Sequence, residues 1–138
     1  MNRVSPTDAN RYSLMAKRSK ARNVLFVLLG VTALVLKRHY SGSFMEIVHS
    51  YGGSVSASLA VYFVVRILTF GWRYERLVTA GIALLTVEIF EVTNGFGIMT
   101  NVYNPVDFVA NAIGVGLALV LDSLVMLIWR NEPDQGSQ

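Results

Sequence analysis

The residues of this chain whose types and spacing could do chemistry are a few carboxyl, amide and guanidinium groups set inside apolar runs. Glu88 and Glu91 lie three apart, and Asp107 and Asn111 four apart, so each pair shares one face of a helix. If the two faces meet, three acids and an amide converge away from water. Three anions do not all stay charged in a dry pocket, so one carboxyl keeps its proton or a cation arrives from elsewhere. The nearest donors outside these segments are Lys37, Arg38, His39 and His49. Such a cluster offers binding of a polar group, or acid–base work by paired carboxylates. The plainer alternative makes Glu91 and Asp107 solvated residues at helix ends, where an acid is favoured at an N-terminus in any case.

A second set points to structure. Asp107, Asn111, Gly114, Ala118 and Asp122 are separated by 4, 3, 4 and 4 residues, which confines them to a stripe of about 80° on one helix. Gly114, Gly116 and Ala118 predict a helix-packing seam, because small residues let backbones approach closely. Ser58, Tyr62 and Arg66 form a second polar ridge at i, i+4 and i+8. Arg66 either snorkels to an interface or pairs with Asp122, and the paired reading makes them a structural ion pair rather than a site.

These groups need elements to position them, and the composition says which. The 138 residues are 53% hydrophobic and only 15% charged, against about 25% in a soluble domain. Apolar segments run over residues 23–36, 54–70, 77–92 and 106–129. The segment Val24–Leu36 offers only Gly30 and Thr32 as breaks in its apolar surface, which leaves no polar face for water. The expected fold is therefore all-α: a polytopic membrane protein with four transmembrane helices. The first segment has the length of a signal-peptide core, but Lys37, Arg38, His39 and Tyr40 follow it where small residues would mark cleavage, so it is read as a retained span.

The basic residues set the expected orientation. Nine Lys or Arg fall on the side of the N-terminus (six of them before the first span) and two on the other, which puts both termini in the cytoplasm. Trp72, Tyr74 and Trp129 then sit at the inner interface and Tyr40, Tyr51 and Tyr103 at the outer one. Residues 1–21 are expected as a mobile basic tail, 22–130 as the four-helix domain and 131–138 as a second tail. Tyr51-Gly52-Gly53-Ser54 is expected just before the second span. Asn104-Pro105 opens the fourth, with Asn as cap and Pro at the first helical position.

Other chemistries find no support. The chain has no cysteine, which excludes thiolate metal sites, iron–sulfur clusters and a Cys nucleophile. His39 and His49 lack metal-ligand spacing, no motif for a cofactor or a hydrolytic nucleophile occurs, and Asn94 to Gly97 reads as a turn rather than a phosphate cradle. No catalytic residue, metal or cofactor is assigned. The scattered bases match membrane flanks rather than a nucleic-acid face, so lipids are the expected partners.

The stretch Val87–Asp122 resembles the VanZ-like family of small bacterial membrane proteins. Glu88 matches the family's Glu, Asp107 and Asn111 its D-x-x-x-N, and Gly114 the Gly that follows. Position 91 is Glu where the family has a Gln-type residue, and the family's outer-loop Arg is missing between Asn94 and Val106. The resemblance implies a multi-pass protein of the bacterial inner membrane and, in the name-giving case, lower sensitivity to teicoplanin, a lipid-bearing glycopeptide. Three functions stay open: non-catalytic binding of an envelope component by Glu88, Glu91, Asp107 and Asn111; a small accessory subunit of a larger membrane complex or homo-oligomer; and an intramembrane carboxylate-dependent hydrolase or transferase.

Overall fold

The computed structural model describes residues 6–93 and 105–130. Apolar stretches that must satisfy their own peptide groups become helices, and four form: α1 (Pro6–Leu36), α2 (Met45–Leu68), α3 (Glu75–Val92) and α4 (Pro105–Arg130). No strand occurs among the described residues. α1, α2 and α4 are each long and apolar enough to cross a membrane. α3, 18 residues long and carrying Glu75, Arg76, Glu88 and Glu91, does not reach that standard.

Two boundaries differ from expectation. The basic segment read as a tail is helical from Pro6 onward, and α1 runs without a break across residues 21 and 22. Its Arg, Lys, Ala, Leu and Met residues are strong helix formers, and Ser19 and Arg22 are buried, so contacts with the rest of the protein hold this part in place. At 31 residues α1 is about 46 Å long, well beyond the roughly 30 Å of a hydrocarbon core. α2 begins at Met45, so Tyr51-Gly52-Gly53-Ser54 lies inside it rather than before it. The Lys37 ammonium, just past α1, lies over Gly53, and Leu34 of α1 is in ordinary contact with that position. α4 does open with Pro105 as its first residue; Asn104 and the segment 131–138 lie outside the described residues.

α2 is the centre of the bundle. α1 packs mainly on α2, while α3 and α4 pack on α2 and on each other. α1 runs antiparallel to α2: Gly30 lies against Ser56 and Ala60, and Lys37 against Gly53. α2 and α4 run parallel, since Ser54 meets Asp107, Ser58 meets Asn111 and Arg66 meets Asp122. Gly71, at φ 86°, turns the chain from α2 to α3, and its N–H donates to Glu75 Oε2 at 2.9 Å. The hydroxyls of Thr69 and Thr79 join the two helices just beyond.

The inside of this bundle mixes an apolar cluster around Phe63, Val65, Ala83 and Val115 with many polar groups, while large apolar side chains cover its outside. Of the eight largest fully buried side chains, six are Arg66, Asn23, Thr69, Thr79, Asp122 and Ser58; the other two are Tyr62 and Phe63. Phe63 stacks on Phe26 of α1 with ring centres 4.5 Å apart. Leu25, Leu28, Leu29, Leu117, Leu124 and Leu127 point outward. A soluble bundle turns such residues inward, and this one suits a lipid surround.

Candidate functional site

Two polar clusters are strung along α2, each built on the ridge that repeats every four residues. The first joins Arg66 of α2 to Asp122 of α4, with Arg66 Nε donating to Asp122 Oδ2 at 3.0 Å. The geometry adds Arg22, just outside the apolar runs, and Tyr62 from the same ridge as Arg66. Arg22 Nη2 donates to the other oxygen, Oδ1, at 2.7 Å, and Tyr62 Oη donates to Oδ2 at 3.3 Å. Asp122 is fully buried and thus accepts three donors from α1 and α2. Arg22 also donates to Asn23 Oδ1, and Arg66 Nη2 donates to Glu75 Oε1 at 2.6 Å. The result is a chain of charges, Arg22, Asp122, Arg66 and Glu75, that ties all four helices together. A buried charge is tolerated only when matched in this way.

Sequence reasoning missed Arg22 and Glu75, yet signals existed. Arg22 precedes Phe26 by four residues and so shares the face with which Phe26 meets Phe63. Glu75 follows Arg66 across one tight turn and opens α3.

Burial opposes ionisation of Glu75, but the Arg66 bond and the Gly71 N–H outweigh it and hold its carboxyl below the usual carboxylate range. A group with a lowered folded pKa contributes stability above its unfolded value and loses it as pH falls through the folded one. The melting temperature of the purified protein therefore falls as the pH drops below about 4.3, the ordinary Glu value. Glu75→Gln flattens part of that fall and costs about 1 kcal/mol at neutral pH, since the carboxylate is partly exposed and Arg66 keeps Asp122.

Beside this cluster lies a cavity of about 610 Å³. Arg18, Arg22, Arg66, Arg76 and Glu75 line it together with apolar side chains, among them Phe70, Met126 and Leu127.

The second cluster lies toward the other end of α2. Asp107 and Asn111 are both buried, but their partners differ from those expected from sequence. Ser54 Oγ donates to Asp107 Oδ1 at 3.3 Å, and Ser58 Oγ donates to Asn111 Oδ1 at 2.7 Å. The two α4 groups therefore face α2 serines rather than joining the α3 acids in a four-membered bonded set. Glu88 and Glu91 stand three residues apart on α3, on one face of the helix. Glu88 Oε2 is buried without a hydrogen-bond partner. None of the four donors expected from the loop after α1 reaches these acids. Lys37 lies over Gly53, and His49 Nδ1 is 2.9 Å from the carbonyl of Met45 in its own helix. Among the described residues no group of three or more His, Asp or Glu is placed to hold a metal ion.

Ser58→Ala removes the donor to Asn111 and leaves a buried amide oxygen unsatisfied. It is expected to cost about 1–2 kcal/mol, read as a lower melting temperature with unchanged membrane insertion.

The stripe on α4 is the buried seam with α2, with Gly114 against Val55 and Ser58, and Ala118 fully buried. Gly116 is a correction: it faces outward with nothing within 4 Å of where a Cβ would stand. Two residues past Gly114 is about 200° around the helix, so it cannot share that seam.

No family model, curated protein or solved structure matches the chain.

Proposed function

We propose that this chain is a non-catalytic, VanZ-like protein of the bacterial cytoplasmic membrane that binds an envelope component at the arginine-lined cavity. The apolar part of α3, residues 77–92, completes a set of four spans, and both termini are cytoplasmic. The observation that carries the reading is the locked chain of Arg22, Asp122, Arg66 and Glu75 opening onto a cavity inside a bundle whose exterior is apolar. Its charged groups hold one another in fixed pairs, which suits a rigid binding wall. The excess of Lys and Arg flanking this end of the bundle supports a cytoplasmic location for the cavity. α3 contributes a buried face, Thr79, Ala83 and Val87, at helical spacing against its neighbours, which supports its passage alongside them.

Expression in a glycopeptide-susceptible bacterium tests this. The tolerated teicoplanin concentration rises, that of a glycopeptide without a lipid chain does not, and Arg76→Gln loses the gain while still inserting. Reporters fused to both termini are active in the cytoplasm. Normal insertion with no change in tolerance, or termini outside, would contradict the reading.

A further inference from the structure

Building on the arginine-lined cavity of that reading, we propose that its ligand is a phosphate-bearing amphiphile of the surrounding leaflet, with the phosphoryl head inside and the acyl chain along the lipid-facing side. Charge balance is the first argument. Arg22, Arg66 and Arg76 line the cavity beside Arg18, and among the described residues Asp122 and Glu75 are the carboxylates bonded to Arg22 and Arg66. Both carboxylates are already committed, Asp122 to three donors and Glu75 to Arg66 and the Gly71 N–H. Among the described residues the guanidinium groups of Arg22, Arg66 and Arg76 exceed these two carboxylates by one charge, and a positive balance in an apolar surround favours an anion. Arg66 is almost fully buried, and its Nη1 has no hydrogen-bond partner.

The shape of the donors is the second argument. Guanidinium groups bind phosphate through paired N–H donors, and a phosphomonoester offers three oxygens where a carboxylate offers two. The third is the apolar share of the lining. Phe70, Met126 and Leu127 border the same space, and Leu127 continues onto the outer surface of the bundle. A soluble phosphate would meet the arginines and leave these side chains without a role, whereas a lipid uses both. Basic pockets between spans are suited to anionic head groups in this way, and about 610 Å³ is in the range that holds a ligand of substantial size.

The test uses the full chain in phosphatidylcholine nanodiscs with dioleoyl phosphatidic acid, glycerol 1-phosphate or oleate added in turn, read by native mass spectrometry and melting temperature. Phosphatidic acid is retained and raises the melting temperature; the other two, at the same concentration, are not retained. Arg76→Gln lowers retention about fivefold, the effect of one basic residue near an anionic head group. Met126→Trp, which fills the cavity without altering an arginine, also lowers it. Equal retention of glycerol 1-phosphate overturns the amphiphile, and equal retention of oleate overturns the phosphate. Retention indifferent to both substitutions overturns the location. Loss of teicoplanin tolerance in Arg76→Gln, with no phosphatidic acid held by the unaltered protein, overturns this inference and leaves the binding reading standing.

Discussion

Asp122→Ala lowers the stability of the bundle by about 3–5 kcal/mol, the loss expected when one partner of a buried ion pair is removed. The carboxylate is fully buried and takes bonds from Arg22, Arg66 and Tyr62. Its removal leaves two guanidinium groups facing each other with Glu75 as the remaining carboxylate in contact with Arg66. Arg22 keeps its bond to Asn23 and Arg66 its bond to Glu75, but both guanidinium groups are buried. Thermal unfolding in a mild detergent reads the effect. A triple replacement, Arg22→Met with Arg66→Met and Asp122→Leu, removes the three fully or nearly buried charges together, leaves the partly exposed Glu75 to the Gly71 N–H, and is expected to cost less than Asp122→Ala, because buried ion networks are often replaceable by apolar side chains of similar volume. If the single and triple variants melt alike, the bonds seen at Asp122 do not hold the helices together.

The second large effect is at the α2–α4 seam. A Cβ at Gly114 would stand 2.5 Å from the carbonyl oxygen of Val55, 2.8 Å from Ser58 Cβ and 3.0 Å from Val55 Cα. Two of these three atoms are backbone, so the helices must move apart rather than a side chain turn aside. Gly114→Ala is expected to destabilise by about 3 kcal/mol, the upper part of the range for overpacking. The separation also stretches the Ser58–Asn111 bond, which bridges the same two helices. Gly116→Ala makes the same chemical change on the outer face of the same helix, where nothing stands within 4 Å. It is expected to be neutral or to stabilise by up to about 1 kcal/mol, because Ala is the better helix former. The opposite signs separate close packing from helix propensity.

The stripe on α4 was legible because helical periodicity alone collects Asp107, Asn111, Gly114, Ala118 and Asp122 on one face, and that face is buried. The contact between Arg66 and Asp122 was legible because two opposite charges in apolar runs need each other. What periodicity withholds is the neighbour a face turns to. Spacing matches Asp107 and Asn111 to Glu88 and Glu91, the nearest acids along the chain, but they meet Ser54 and Ser58. That pairing was latent in the sequence: the serines are four apart, like Asp107 and Asn111, and the second and fourth helices of an up-and-down bundle run parallel, so equal spacings lie in register. Arg22 and Glu75 went unnoticed because charges beside an apolar run look like membrane flanks until a neighbouring helix is found over them. The same reasoning misplaced the start of α1, whose basic turns carry no apolar periodicity but are held by burial of Ser19 and Arg22.

The chain has no native cysteine, so engineered pairs report helix proximity without background. The most direct test of the buried α2–α4 seam is oxidative cross-linking in intact membranes of Ser58→Cys with Asn111→Cys, set beside Ser58→Cys with Gly116→Cys. The first pair is predicted to form an intramolecular disulfide rapidly and the second to stay reduced. Equal cross-linking of both pairs, or none by the first, would mean that the polar face of α4 is not turned to α2.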